Sequence, residues 1–316
     1  MKEHTIKKVG IIGTGMIGTS LAVLTTGHGC KTVMFAMNED LKAASHSQFD
    51  SFYTDLKDQK LLSDSQAARC AGYLDYTLEY SGLSDCDLIF ECVVERLDIK
   101  HEVYAQLEAH CPSIKAICSV SSAIVVDDLT KGMTVYRDRV VVAHPFNPPH
   151  LVPYFEVAVG KDTDPAVLDY VKDVLVKLDR KVVVLKKSAP GFIGNRLQFA
   201  LWREALNIVD QGIGNPEDVD TCLMYSFCPR YTSIGMFEHF DNGGLDLTYN
   251  VSKALFPVLG DTKEVPASLS DRVRRGDLGR KTGKGFLDWS GVDIDQFRAR
   301  ISAPYWRYFN WKLPEE

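Results

Sequence analysis

Lys8-Val-Gly-Ile-Ile-Gly13-Thr-Gly15-Met16-Ile17-Gly18 carries an apolar strand straight into a GxGxxG turn, and the residues after it, Thr19 to Thr26, read as a helix. The glycines allow a tight turn, close approach of the backbone to a pyrophosphate and close packing of helix on strand. The free N–H groups at the helix start face the anion. A bare GxGxxG is a weak signal and also suits a purely structural turn. The order strand, turn, helix points to a nucleotide phosphate held over Gly13, Gly15, Met16, Ile17 and Gly18.

Outward from that turn, short β-branched runs alternate with helical stretches: Val9 to Ile12, Thr32 to Phe35, Leu88 to Phe90, Ala116 to Val120, Val140 to Ala143 and Lys181 to Leu185. Such alternation predicts βαβ units and a mostly parallel sheet. After Ser188-Ala-Pro-Gly191 the strand signals stop, and Phe192, Leu197, Leu201, Leu206 and Val209 recur at helical spacing up to Gly212. The boundary is therefore expected at residue 188, giving domains 1–187 and 188–316. Asn215-Pro-Glu-Asp218 reads as a helix start, because the Asn side chain accepts from backbone N–H groups, Pro fits the first turn and the acids complement the dipole. Further helices are expected from Leu247 to Phe256 and from Pro266 to Arg275, with a cleft between the halves.

The 316 residues, 45% hydrophobic and 25% charged, have the composition of an ordinary globular protein. Its 36 basic and 42 acidic residues interleave along the chain, so no basic face is offered to nucleic acid or to anionic lipid. The eight cysteines form no CxxC pair and fall partly inside apolar runs, as in Ala116-Ile-Cys-Ser119, which fits reduced thiols and excludes a structural metal motif. No apolar run approaches the roughly 20 residues of a membrane helix, and Met1 to Ile6 lead into the first strand without a hydrophobic leader. The expected location is the cytoplasm.

The second strand ends Thr32-Val-Met-Phe-Ala36, where NAD sites usually place a carboxylate against the ribose hydroxyls. With Ala36 there, rejection of a 2′-phosphate is weakened, yet no arginine follows, only Asn38, Glu39, Asp40 and Lys42. NAD is the expected cofactor, and NADP stays open. Oxidation of a hydroxyl by hydride transfer also needs a base with a pKa near neutrality. His144 ends the run Arg139-Val-Val-Val-Ala143, at a strand end where α/β sheets gather ligands, and Glu156 lies twelve residues on, within reach through the proline-rich segment Pro145-Phe-Asn-Pro-Pro149. Ser121 and Ser122 end the preceding strand, where either could hold a substrate oxygen or simply shape a turn. Asn195 opens the long helix of the second half; it points toward the cleft or is an ordinary surface amide.

Together, GTGMIG, Glu91-Cys-Val-Val-Glu95 with Lys100, Ser122, the HPFNP run from His144, Pro190-GFIGNR and Gly279-RKTGKGF resemble the L-3-hydroxyacyl-CoA dehydrogenase family over nearly the whole chain. The resemblance implies a doubly wound Rossmann-type α/β domain followed by an all-helical domain that commonly mediates homodimerisation. It implies His144 as base paired to Glu156, Ser122 and Asn195 as substrate-orienting groups, and Glu95, Lys100, Asn147 and Lys281 near the cofactor. The stretch CSVSSAIV is divergent, so Ser121 remains an alternative to Ser122.

Within that family, His144-PFNPPHLVPYFEV and Cys228-PRYTSIGMFEHF are more similar to the lambda-crystallin and gulonate dehydrogenase type and to carnitine dehydrogenases. That similarity implies a small free 3-hydroxy acid, with Arg230 either holding its carboxylate bidentately or pairing with a surface acid. A CoA thioester is the alternative substrate, although Asp50 to Lys60 mixes Asp50, Asp55 and Asp58 with Lys57 and Lys60 and forms no cationic cluster for its phosphates. A non-catalytic, crystallin-like nucleotide-binding protein is the competing reading from another class. Intact Gly13, Gly15, Gly18, His144, Glu156 and Asn195 argue against it. A dehydrogenase using a second-domain lysine is disfavoured because the helix after Asn195 offers Arg196 and Arg203 instead.

Overall fold

The computed structural model describes residues 6–309 and 311. Eight strands form one sheet: β1 (Lys8–Ile12), β2 (Lys31–Phe35), β3 (Leu74–Thr77), β4 (Leu88–Glu91), β5 (Ala116–Ser119), β6 (Val140–Pro145), β7 (Tyr154–Val159) and β8 (Lys181–Val184). The helices of this part are α1 (Met16–Gly27), α2 (Glu39–Asp58), α3 (Asp64–Ala71), α4 (Leu97–His110), α5 (Val126–Leu129) and α6 (Pro165–Lys177). The strand order is β3-β2-β1-β4-β5-β6-β7-β8, parallel throughout except that β6 and β7 run antiparallel. The chain winds one way from β1 to β3 and the other way from β4, so a topological switch point lies between β1 and β4. Ligands of open α/β sheets bind outside the carboxyl ends of the strands at such a point.

Two strands went unrecognised in the sequence. β3 is a short edge strand with Asp75 exposed, so it has no apolar run to read. β7 is the apolar stretch around Glu156, which pairs with β6 through the proline-rich turn. The central strands are buried on both faces, as helix-covered parallel sheets require, and two apolar layers result. Leu21, Leu24, Phe90 and Phe155 belong to one; Ile12, Ile89, Tyr104 and Ile117 belong to the other. Helix α1 is buried from Gly18 to Gly27. Its interior hydroxyls are satisfied locally, Thr25 Oγ1 donating to the Leu21 carbonyl at 2.9 Å and Thr26 Oγ1 to the Ala22 carbonyl at 2.7 Å.

The chain divides into two compact units, one running to Phe192 and resuming at Arg298, the other Ile193–Phe297. The last described residues therefore lie with the first unit, where the sequence reading had assigned everything after residue 188 to the second. Trp311 is the physical reason: it is buried and packs on the face of α1 at Gly27, where any Cβ would collide with its ring. The second unit holds α7 (Gly194–Asp210), α8 (Pro216–Tyr225), α9 (Met236–Gly243), α10 (Leu245–Leu255) and α11 (Ala267–Arg275). A bridged turn at Gly279, Lys284 and Asp288 follows, and α12 (Ile294–Trp306) contains the division between the units. Asn215 caps α8 by accepting from the Asp218 amide at 2.9 Å. Among the described residues only Ala205 and Leu206 are buried in this unit. No helix among them is long and apolar enough to cross a membrane.

Candidate active site

The glycine turn has the shape that the sequence demands. Gly13 has φ 114° and a Cβ there would lie 2.6 Å from the Cys92 carbonyl oxygen, while a Cβ at Gly18 would collide with the Gly13 carbonyl. At Gly15 nothing stands within 4 Å, so the backbone is open to an approaching group. Gly15 caps α1 with no side chain, which leaves the first N–H groups for an anion, and Met16 is 44% exposed beside it with Ile17 half-buried. These features fit a pyrophosphate. At the end of β2, Ala36 is buried and Met37 is exposed. Asn38 caps α2, Glu39 and Asp40 occupy its first turn, and Lys42 is paired with Glu39 at 3.1 Å.

Along the same carboxyl edge, Ile12, Glu91, Ser119 and Val142 are register neighbours on β1, β4, β5 and β6. His144 follows on β6, directly opposite Glu156 on β7. Its Nδ1 lies 3.4 Å from Glu156 Oε2, and its Nε2 lies 3.1 Å from Ser122 Oγ. A buried carboxylate next to Nδ1 assigns the proton to that nitrogen and leaves the Nε2 lone pair to the serine side. The rings of Phe146 and Phe192 stand edge-on to the imidazole at 5.8 and 5.5 Å, and the histidine is 7% exposed. Burial holds the His144 pKa below its ordinary value, opposed by the Glu156 hydrogen bond and by the charges of Glu156 and Glu95.

The two serines separate clearly. Ser121 is buried and donates to Glu95 Oε1 at 2.6 Å, whereas exposed Ser122 carries the hydroxyl that faces His144. Glu95 also accepts from the Ser122 and Ala123 amides, both at 3.0 Å, so one carboxylate organises the whole loop. Burial pushes the Glu95 pKa up, but these hydrogen bonds and Lys100 outweigh it and hold the carboxyl below the usual range. Lys100 itself is fully buried. Its ammonium binds both oxygens of fully buried Glu91, at 2.8 and 2.9 Å, with Glu95 at 3.6 Å. Tyr104, Ser119 and the Val93 amide complete the Glu91 shell at 2.8, 2.7 and 3.0 Å. The ammonium, expected near a cofactor, is thus enclosed beneath the loop and reaches the site through Glu95.

Asn147 is exposed in the β6 to β7 connection, joined to Pro148 by a cis bond. That connection is tied down from two sides. His150 Nδ1 meets Ser20 Oγ of α1 at 2.7 Å, and the buried Arg180 guanidinium donates to the carbonyls of Pro149 and Val152 at 3.0 and 3.3 Å. Burial drives the His150 pKa to about 3, with Arg180 acting in the same direction, so the ring is neutral. Asn195, Arg230 and Lys281 belong to the second unit. Asn195 is half-buried in the first turn of α7, and exposed Lys281 lies at the edge of a cleft of about 520 Å³ between Trp202, Val219, Val273 and Phe286. Arg230 donates to His239 Nε2 at 3.1 Å and has no acidic partner among the described residues. No cluster able to hold a metal ion occurs among them.

One polar neighbour of the histidine pair escaped the sequence reading. Tyr154 Oη donates to Glu156 Oε1 at 3.2 Å. The signal was present in the two-residue period of β7, which puts Tyr154 and Glu156 on one face.

The model of the 3-hydroxyacyl-CoA dehydrogenase NAD-binding domain matches residues 8–188, and the model of the C-terminal domain of 3-hydroxyacyl-CoA dehydrogenase matches residues 191–289. The chain belongs to the 3-hydroxyacyl-CoA dehydrogenase family; it is an NAD-linked oxidoreductase acting on a CH–OH group. Among its relatives, 5-formyl-3-hydroxy-2-methylpyridine 4-carboxylate 5-dehydrogenase of Mesorhizobium japonicum is 29% identical over 89% of this chain and 90% of its own. L-carnitine dehydrogenase of Oceanobacillus iheyensis is 32% identical over 76% of each. A crystal structure of a 5-formyl-3-hydroxy-2-methylpyridine 4-carboxylic acid 5-dehydrogenase, described as an NAD+-dependent dismutase, superposes with a TM-score of 0.86 at 27% identity, covering 96% of this chain and 97% of that one.

Proposed function

We propose that this protein interconverts the 3-hydroxyl and 3-keto forms of a small free hydroxy acid, with His144 as the base. The observation that carries the reading is the line from Glu156 through His144 to Ser122, with gaps of 3.4 and 3.1 Å, in the sheet that also leads into the glycine turn. A nicotinamide cofactor held over the Gly13 to Gly18 turn would supply the hydride acceptor for the carbon bearing the hydroxyl. His144 Nε2 takes the hydroxyl proton, Glu156 stabilises the imidazolium that results, and Ser122 Oγ holds the substrate oxygen beside Nε2. Asn195 of the second unit is proposed as a further partner for that oxygen. Holding these groups in register supplies much of the rate.

A free acid as substrate is supported by Arg230, a guanidinium with no acidic partner among the described residues. The carnitine and pyridine carboxylate substrates in the relatives' names agree with it. A CoA thioester is disfavoured because Lys57, on the stretch that would meet its phosphates, is already paired with Asp64 at 3.2 Å. NAD is proposed over NADP: Glu39 and Asp40 in the first turn of α2 repel a 2′-phosphate, and Lys42 is held by Glu39. Glu95 and Lys100 support the cofactor side from beneath, with Asn147 and Lys281 as further candidate contacts. The free cysteines support a reducing cytoplasm, and the apolar surface of the second unit supports a homodimer.

The test is His144→Gln, assayed for reduced nicotinamide with gulonate, carnitine, 3-hydroxybutyrate and 3-hydroxybutyryl-CoA, alongside titrations with NADH and NADPH. Turnover is expected to fall by roughly three orders of magnitude or more with NADH affinity unchanged. Retained turnover refutes the assignment of the base, and tighter NADPH binding refutes the cofactor choice. In the same assay, an Arg230→Ala variant with an unaltered KM for the acid refutes its role with the carboxylate.

A further inference from the structure

We infer that Ser121 is a positioning residue of the His144 site: its hydroxyl, bridging Glu95 and the Ile124 amide, closes the loop that aims Ser122 Oγ at the histidine. The inference rests on the proposed role of Ser122 beside the His144 base. Ser121 is buried, and its Oγ donates to Glu95 Oε1 at 2.6 Å while accepting from the Ile124 amide at 2.9 Å. A serine hydroxyl has a single proton, and the shorter contact assigns it to the carboxylate rather than to the Ile124 carbonyl at 3.2 Å. The amides of Ser122 and Ala123 also donate to Glu95 Oε1, both at 3.0 Å. The N–H groups of residues 122, 123 and 124 are therefore all engaged by this pair, the first two by Glu95 and the third by Ser121.

This clamp is anchored at its base. The Ser121 amide donates to Ser119 Oγ at 3.4 Å, Ser119 donates to fully buried Glu91, and the Lys100 ammonium lies 2.8 Å from Glu91 and 3.6 Å from Glu95 Oε2. Burial raises the Glu95 pKa, but the Ser121 hydroxyl, the Ala123 amide, Lys100 and the Ser122 amide outweigh it, so the carboxylate stays ionised and keeps accepting. Ser122 has nothing else to steer it. It is exposed, and among the described residues its hydroxyl meets His144 Nε2 alone, at 3.1 Å. The loop backbone therefore sets where that hydroxyl stands, and a misplacement of about 1 Å at a reacting group can cost on the order of a hundredfold in rate.

Ser121→Ala removes the bridge and leaves Ser122 and Glu95 in place. Two readings are taken on the full-length protein: kcat and KM for the hydroxy acid, and the nitrogen NMR shift of His144 Nε2 without cofactor at a pH where the ring is neutral, with His144→Gln assigning the signal. With the loop slackened, kcat is expected to fall about fivefold to tenfold, the scale of one hydrogen bond. NADH affinity is expected to be unchanged, because Glu95 keeps both amides and Lys100. The Nε2 resonance should move in the direction in which Ser122→Ala moves it, toward a nitrogen that accepts no hydrogen bond. In the Ser122→Ala background, Ser121→Ala should change neither reading further, because its hydroxyl acts through Ser122. Ser121→Cys keeps the volume but offers only a weak donor and acceptor, so it should behave as the alanine variant, and it carries the test if that variant fails to fold. An Nε2 resonance that both substitutions leave unmoved overturns the inference, as does an equal fall in turnover in the Ser122→Ala background, the mark of a merely structural hydroxyl. The NMR reading does not depend on turnover: an Nε2 shift shared by Ser121→Ala and Ser122→Ala in a protein that oxidises no hydroxy acid would overturn the proposed function and leave the positioning intact.

Discussion

At His144 two opposing influences set the proton affinity: burial among Phe146 and Phe192 favours the neutral ring, while Glu156 and Glu95 favour the cation. Burial wins, and the pKa lies below the ordinary histidine value. Oxidation needs the neutral ring, so kcat/KM for the hydroxy acid should stay level through neutrality and fall only as the pH drops below the usual histidine range. Reduction of the keto acid needs the cation, so its rate should decline as the pH rises through that same acidic window. A limb centred at or above the ordinary histidine value in the oxidative profile would contradict this assignment. Residues of this kind were partly legible in the sequence. A histidine and a glutamate at the ends of apolar runs advertise themselves, but Ser121 and Ser122 are adjacent and chemically alike. What separates them is the Glu95 carboxylate, which arrives from another loop and takes the Ser121 hydroxyl.

Among the elements, α4 delivers Lys100 beneath the carboxyl ends of β4 and β5, where it neutralises Glu91 in a site with no exposure. The motif around Glu91 and Glu95 gives the order of these residues but not the depth, because Lys100 is buried on the same helix as Val103, Tyr104 and Leu107, where a lysine is not expected. A charge buried with four donors is stable only while the set is complete. Lys100→Met is expected to cost about 3–5 kcal/mol, since it leaves Glu91 buried without its cation. For a domain of this size the loss lowers the unfolding midpoint by roughly 10 °C in a calorimetric or dichroism melt. A variant that melts like the parent and loses only NADH affinity would show that Lys100 acts on the cofactor from an accessible position instead. β1, β2, β4, β5, β6 and β8 were readable from their β-branched or apolar runs. β3 was hidden because an edge strand has no need of a continuous apolar face.

Over the whole molecule, the two units are unequal in how they bury their apolar residues. The first has layers on both sides of its sheet and takes Trp311 onto α1, a return for which the aromatic-rich run Tyr305-Trp-Arg-Tyr-Phe-Asn-Trp311 is the only clue in the sequence. The second unit buries Ala205 and Leu206 and leaves Phe199, Phe237, Tyr249 and Phe256 exposed by 63, 87, 67 and 71%. Full burial of a side chain of this size contributes roughly 1.5–3 kcal/mol, so several together are enough to hold two protomers, and an exposed apolar surface this extensive is uncommon on a monomer. The chain is accordingly expected to run at twice its monomer mass in size-exclusion chromatography with light scattering. Phe199→Glu, on the exposed face of α7, places a charge where a partner would bury a ring and should weaken the dimer by a hundredfold or more, at about 1.4 kcal/mol for each factor of ten. A parent protein that stays monomeric at micromolar concentration would mean that the second unit holds its helices together without a partner, and the homodimer would have to be abandoned.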